Sequence, residues 1–172
     1  MTLHLVRHGL PLIDPQRPAA AWELDPAGFD DVWALRERLP SGAAWFSSPE
    51  PKAQQTAQLL TDGDVGIVDE LREHERGLGL LLDDFHDRVR AAFAQPDLSA
   101  APGWEPLTDL GGRLVPAVRR ILDVHGEDDV VLVGHGTAWT LLVAELSDCE
   151  PDLLRWRSLG MPDVITVSSA LG

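Results

Sequence analysis

Two histidines stand in the same local setting, and an imidazole placed there can act as a nucleophile, a base or a ligand. His8 comes shortly after the apolar residues 3–6 and directly before a glycine. His135 follows the apolar residues 130–133 and lies between two glycines. The glycines let the backbone approach a bound molecule closely. A lone histidine in this setting is more often a partly buried residue that ends a strand, but two in matching positions favour a functional site.

The elements that must position these histidines alternate along the chain. Apolar runs of strand length cover residues 3–6, 43–46, 66–68, 130–133 and 164–167. Helical patterns begin at Asp25 and Pro26, run over residues 52–60 and 114–125, and follow His135. Strands that alternate with helices indicate an α/β fold, a three-layer α/β/α sandwich with a mostly parallel central sheet. Because no repeat or low-complexity tract divides the chain, we predict a single domain over residues 1–172.

The edge of such a sheet is where a ligand would bind, because α/β sheets bind ligands outside the carboxyl ends of their strands. His8 and His135 both follow strand-like runs, so the pattern places them at that edge. Residues 96–106, rich in Pro, Gly, Ser and Ala, are typical of a loop that either borders a site or joins two helices.

Several sequence blocks resemble one known family. Residues 5–9, Leu-Val-Arg-His-Gly, resemble the Arg-His-Gly signature of the histidine phosphatase (phosphoglycerate mutase-like) superfamily. Residues 47–57 are similar to its Ser-Ser-Pro-x-x-Arg-Ala-x-Gln-Thr-Ala segment, with lysine where arginine is usual. Residues 24–28, 71–77 and 134–136 resemble its Leu-x-x-x-Gly helix opening, the stretch that carries its acid, and its second histidine motif. The blocks follow in order over most of the chain, and the chain length resembles the compact phosphatase branch.

The resemblance implies a phosphomonoester hydrolase in which His8 is the nucleophile. Phosphoryl transfer needs an in-line nucleophile and positive donors around three equatorial oxygens. A neutral imidazole attacks phosphorus through one ring nitrogen while the other nitrogen donates its proton, often to a backbone carbonyl. Arg7, Lys52 and a protonated His135 would supply cationic donors. The backbone N–H groups that open the helix at Gly136 would add partial positive charge.

The leaving oxygen also needs a proton, and the resemblance implies that Glu73 donates it and later activates water to hydrolyse phospho-His8. Spacing alone favours a solvated surface carboxylate at this position, because acidic residues crowd residues 69–75. Glu70, Glu75 and Glu105 remain alternatives for the acid.

Three positions depart from the pattern of many relatives. Pro11 and Asp14 stand where polar side chains usually border the phosphate, and Lys52, the only lysine of the chain, replaces arginine. A carboxylate near a phosphate dianion would repel it, so Asp14 points away, is itself paired, or marks a changed substrate. These departures leave open a catalytically impaired phosphate-binding or regulatory protein. The resemblance itself leaves open a phosphoglycerate mutase-type phosphotransferase, which would share the fold and the histidines.

Charge and composition limit the partners. The 14 basic and 28 acidic residues give a formal charge of −14, which disfavours nucleic acid and anionic membranes. A single cysteine, Cys149, excludes an internal disulfide and is typical of a reducing compartment, so we expect a cytoplasmic protein. His4 and His8 lack a third metal ligand nearby, and we expect catalysis without a metal or cofactor. The expected partner is a small phosphorylated substrate: sugar phosphates, nucleotide-derived esters, phosphohistidine proteins and vitamin-precursor phosphates all remain open.

Overall fold

The computed structural model describes residues 1–77 and 83–168, which contain a five-stranded sheet. The strands are β1 (Thr2–Arg7), β2 (Ala44–Ser47), β3 (Val65–Ile67), β4 (Val130–Gly134) and β5 (Asp163–Ser168). Their order across the sheet is β3-β2-β4-β1-β5. All neighbouring pairs are parallel except β1 and β5, which are antiparallel. The sheet is therefore mostly parallel, as the sequence predicts.

Helices cover both faces of this sheet. They are α1 (Phe29–Leu35), α2 (Pro51–Leu60), α3 (Phe85–Ala94), α4 (Leu107–Val124), α5 (Gly136–Ser147) and α6 (Leu153–Ser158). On one face Val130 and Leu132 of β4 belong to a core with α4 and α5. On the other face Val131 and Val133 join a core with α1 and α2. Because successive side chains of a strand point to opposite faces, a continuously apolar β4 requires cover on both sides.

The predicted fold class, a three-layer α/β/α sandwich, is confirmed. Each predicted strand overlaps an observed one, with boundaries that differ by one residue at most. The predicted loop at 96–106 lies between α3 and α4. The sequence analysis did not identify α3 or α6, because α3 follows a leucine-rich stretch that hides its start and α6 is only six residues long. No helix in the described part of the chain is long and apolar enough to cross a membrane.

Candidate active site

The carboxyl ends of β1, β2 and β4 meet at one edge of the sheet. The backbone N–H of His8 donates to the Gly134 carbonyl at 2.9 Å, and that of Ser48 donates to the Val133 carbonyl at 2.9 Å. These two hydrogen bonds join the segments that follow β1 and β2 to the end of β4. His8 and His135 consequently lie side by side, with ring centroids 5.3 Å apart.

A cavity of about 750 Å³ opens above this edge. Its wall contains every residue that the sequence analysis assigned to the site: Arg7, His8, Lys52, Glu73, His135 and Gly136. Gly103, from the loop between α3 and α4, also lines the cavity, so that loop borders the site as well as joining two helices.

His8 is held as a neutral ring. Its Nδ1–H donates to the Gly9 carbonyl at 2.7 Å, and because a carbonyl only accepts, this bond fixes the proton on Nδ1. The pKa of His8 lies well below its usual value because the ring is buried, and because His135 when protonated, together with Lys52 and Arg7, places positive charge nearby. The other nitrogen, Nε2, therefore keeps an unprotonated lone pair, which is the form that a nucleophilic imidazole needs.

Gly9 keeps this arrangement compact. Its N–H donates to Thr56 Oγ1 at 3.0 Å. A Cβ added at Gly9 would lie 2.5 Å from Val32 and 2.9 Å from Leu24, closer than packed atoms can approach. Only glycine fits after His8.

Arg7 reaches from the end of β1 across to the loop after α6. Its Nη1 donates to the Leu159 carbonyl at 2.6 Å, while its buried Nε has no partner. A Cβ added at Gly136 would lie 3.3 Å from this Nε. The glycine therefore leaves the Nε–H and the first turn of α5 open toward the same space.

His135 differs from the expectation of a protonated donor. Its Nε2 bonds to Ser48 Oγ at 2.8 Å and lies 3.5 Å from Glu50 Oε1, while Nδ1 is buried without a partner. Burial lowers the pKa of His135, although Glu50 and Glu73 act in the opposite direction. The lowered pKa favours a neutral ring near pH 7, and the negative charge of a bound anion would favour its protonation.

Lys52 lines the cavity but is already engaged. Its Nζ donates to the Ala19 carbonyl at 2.6 Å and forms a buried ion pair with Glu50. Burial raises the pKa of Glu50, but His135 when protonated, the charge of Lys52 and hydrogen bonds from Lys52 and the Glu73 N–H outweigh it and lower that pKa. The sequence analysis missed Glu50, although it lies inside the conspicuous block at 47–57. A ligand anion must share Lys52 with this carboxylate.

Glu73 lies at the N-terminus of α5. Its carboxylate accepts from the backbone N–H groups of His74 and Ala138 at 2.9 Å and of Thr137 at 3.2 Å. Burial opposes ionisation, but the charge of Arg76, that of His135 when protonated, and the hydrogen bond from the His74 N–H lower the pKa of Glu73 to about 2. Two of the N–H groups expected to face a phosphate are thus taken by Glu73, which leaves Gly136 at the first position of the helix.

The alternative acids lie in less suitable places. Glu105 forms an ion pair with Arg113 at 2.6 Å, and Glu70 is on the exposed side of its segment. Glu75 does line the cavity, but it is exposed and paired with Arg72. Of the four candidates, Glu73 both lines the cavity and accepts from backbone N–H groups that follow His135.

The two N-terminal positions that depart from the family pattern, Pro11 and Asp14, lie in different environments. Asp14 accepts from the Gln16 N–H at 2.9 Å and is not part of the cavity wall, so the carboxylate is paired in a turn and does not oppose an anion. Pro11 does line the cavity, where it contributes apolar surface in place of a hydroxyl.

Arg76 is a second residue that sequence reasoning missed. It lies just before Gly77 in the block at 71–77, and its guanidinium lines the cavity and donates to Thr137 Oγ1 at 2.6 Å. Its Nε is buried without a partner. The sequence did contain a signal for Arg76: it is an arginine three residues after the expected acid, Glu73, in a stretch where acidic residues outnumber basic ones.

Buried polar atoms without partners are concentrated at this site. Within residues 1–77 and 83–168 there are six, and four belong to residues of the cavity wall: Arg7, His74, Arg76 and His135. Buried polar groups are normally hydrogen-bonded, so this concentration distinguishes the cavity from the rest of the described chain. The same described residues contain no group of three or more His, Cys, Asp or Glu side chains that could hold a metal ion.

Comparison with known proteins agrees with this geometry. The YhfR protein of Bacillus stearothermophilus is 26% identical to the chain, with a TM-score of 0.75 over 97% of this chain and 90% of that one. A mycobacterial glucosyl-3-phosphoglycerate phosphatase solved with VO3 is also 26% identical, with a TM-score of 0.74 over 97% and 92%. A phosphoglycerate mutase from Bacillus anthracis, 22% identical, shares the fold with a TM-score of 0.77 over 96% and 86%. Curated protein sequences gave no significant match. Residues 3–169 match the histidine phosphatase superfamily (branch 1), and the chain belongs to that family.

Proposed function

We propose that the protein is a metal-independent phosphomonoester hydrolase that works through a phosphohistidine on His8 and acts on a small phosphorylated molecule. The observation that carries this proposal is the state of His8. It is a neutral imidazole at the cavity wall, with Nδ1–H anchored on the Gly9 carbonyl and Nε2 unprotonated. A fixed, desolvated nitrogen lone pair beside cationic donors suits attack on phosphorus.

In the first half of the reaction the Nε2 lone pair of His8 forms a bond to phosphorus while the bond to the leaving oxygen breaks. Arg7 Nε–H, Lys52 Nζ and the Gly136 N–H surround the phosphoryl oxygens and stabilise their charge. His135 joins them by taking up a proton as the anion binds, so that its unpartnered Nδ1 donates to an oxygen.

Glu73 serves as acid and then as base. Its lowered pKa favours the ionised form, and a phosphate dianion bound nearby raises that pKa by like-charge repulsion, which favours uptake of a proton. That proton goes to the leaving oxygen. The carboxylate then accepts a proton from the water that attacks phospho-His8, which releases inorganic phosphate and restores the free imidazole.

One observation favours a second candidate, a phosphate-binding protein with impaired catalysis. Lys52, at the position where the family usually has arginine, is neutralised by Glu50. The mutase-type alternative shares the histidines and differs in the acceptor, which would be a second substrate hydroxyl in place of water.

Rapid-quench labelling tests these assignments. Denaturation in alkali during turnover of a radiolabelled ester should trap an acid-labile, alkali-stable phosphate on His8. His8→Ala should abolish both label and hydrolysis, whereas His125→Ala, at the far end of α4, should retain them. Label on Ser48, or hydrolysis that survives His8→Ala, would overturn the mechanism. Absence of turnover on all esters would support the impaired protein, and phosphate transfer to phosphoglycerate faster than hydrolysis would support the mutase.

A further inference from the structure

Arg76 is a buried cation that the proposed reaction does not use. Its side chain is 11% exposed, and its nearest carboxylate oxygen, Glu73 Oε2, is 4.0 Å from Nη2. Glu73 already shares its oxygens among three backbone N–H groups. No other carboxylate in the described ranges lies within ion-pair distance of Arg76. A buried charge whose one carboxylate in these ranges stands at the limit of ion-pair distance is costly unless an anion from outside also contacts it.

The guanidinium is held in place by aromatic rings. It lies over Phe85 and Trp104, with its central carbon 4.9 Å and 5.4 Å from the ring centroids. The acceptor of its Nη2–H, Thr137 Oγ1, is itself fixed by a hydrogen bond from Trp156 Nε1 at 3.2 Å. These contacts preorganise Arg76, so little freedom is lost when it binds an anion.

Arg76 and Arg7 flank the same helical turn. Arg7 packs against Gly136, and Arg76 bonds to Thr137, which is the next residue of the same turn. The Cα atoms of adjacent residues are about 3.8 Å apart. Both guanidinium groups have a buried Nε–H without a partner, and both line the cavity. Burial and the nearby positive charge of Arg76 both lower the pKa of Arg7, so the two guanidinium groups are close enough for one small molecule with two anionic groups to contact both.

We propose, on the basis of the proposed function, that the substrate is a phosphomonoester with a second anionic group a few bonds from the phosphoryl group, and that Arg76 binds that group. A carboxylate and a second phosphate both match the planar fork of arginine. Arg76 is thereby a specificity-determining residue, whereas Arg7 binds the phosphoryl group that is transferred and His8 attacks it.

Three esters with the same carbon chain test this inference: propyl phosphate, 3-phosphooxypropanoate and 1,3-propanediol bisphosphate. The wild type should show a kcat/KM at least about tenfold higher for one or both doubly anionic esters than for propyl phosphate. Whether the carboxylate or the bisphosphate is preferred identifies the second group. Arg76→Gln should reduce this ratio at least about tenfold, and Arg76→Lys should retain part of it because the charge remains.

Arg72→Gln is the matched control, since Arg72 also lines the cavity but is more exposed and paired with Asp69 and Glu75. It should leave the substrate ratio unchanged. Equal losses on all three esters in Arg76→Gln would show that Arg76 only supports Glu73 or the fold, and would overturn the inference. A wild-type enzyme without preference among the esters overturns it as well, independently of whether the variants fold.

Calorimetric binding separates this inference from the proposed function. If no ester is hydrolysed, propyl phosphate included, the hydrolase assignment fails. The role of Arg76 is then decided by the dissociation constants of the same three esters, taken as the ratio of propyl phosphate to each doubly anionic ester. If propyl phosphate is hydrolysed without any preference for doubly anionic esters, the hydrolase assignment stands and only the inference about Arg76 fails.

Discussion

The ion pair between Lys52 and Glu50 should make the folded state unusually sensitive to loss of one partner. Both side chains are nearly inaccessible, at 5% and 6% exposure. Lys52→Met keeps the side-chain volume and leaves the Glu50 carboxylate buried without its counter-ion. Breaking a buried pair in this way costs about 3–5 kcal/mol of unfolding free energy. For a chain of this size each kcal/mol lowers Tm by about 2–4 °C, so we expect a decrease of about 6–20 °C.

Urea unfolding of four proteins measures this effect: wild type, Lys52→Met, Glu50→Gln and the double variant. Glu50→Gln in the Lys52→Met background removes the unpaired charge and should recover about 1–3 kcal/mol as a coupling energy. As a control, Arg90→Met breaks a solvent-exposed pair with Asp87 and should leave the midpoint nearly unchanged. A loss below about 1 kcal/mol for Lys52→Met, which is the range of surface pairs, would refute the reasoning.

Three further predictions concern pH, packing and metal ions. Because the pKa of Glu73 is lowered from 4.5 to about 2, its ionised form stabilises the folded state by about 3 kcal/mol above pH 4.5, and this contribution disappears as the pH falls toward 2. Urea titrations of wild type and Glu73→Gln should therefore converge at low pH, and a gap that is independent of pH would contradict this. Gly134→Ala places a Cβ 2.5 Å from the Trp139 ring and should destabilise the protein by about 1–3 kcal/mol. The control Gly112→Ala, in α4, places a Cβ that has no neighbour within 4 Å in the described part of the chain, its own helix backbone aside, and should stabilise the protein by up to about 1 kcal/mol. Equal unfolding midpoints for the two variants would count against the packing argument. A chelator should leave hydrolysis intact and vanadate should inhibit it by imitating five-coordinate phosphorus, and recovery of a chelated enzyme with one divalent ion would rule out metal independence.

The sequence by itself determined the sheet and the segments that reach its edge. Apolar runs at 3–6 and 130–133 are local patterns, and parallel strands bring their carboxyl ends together whatever the rest of the chain does. That is why His8, Arg7 and His135 could be placed at one site before any distance was known. The block at 71–77 likewise pointed to Glu73, because its spacing matches a family whose order of motifs the chain follows.

Only the tertiary structure decided the charge states and the additional partners. Glu50 and Glu73 are 23 residues apart, yet a backbone N–H joins them, and Glu73 reaches Ala138 across 65 residues. The pKa values of these groups depend on burial and on charges from distant segments, and sequence spacing carries neither quantity. The neutral His135, the engaged Lys52 and the position of Arg76 beside Thr137 follow from long-range contacts, which exist only once the helices have packed on both faces of the sheet.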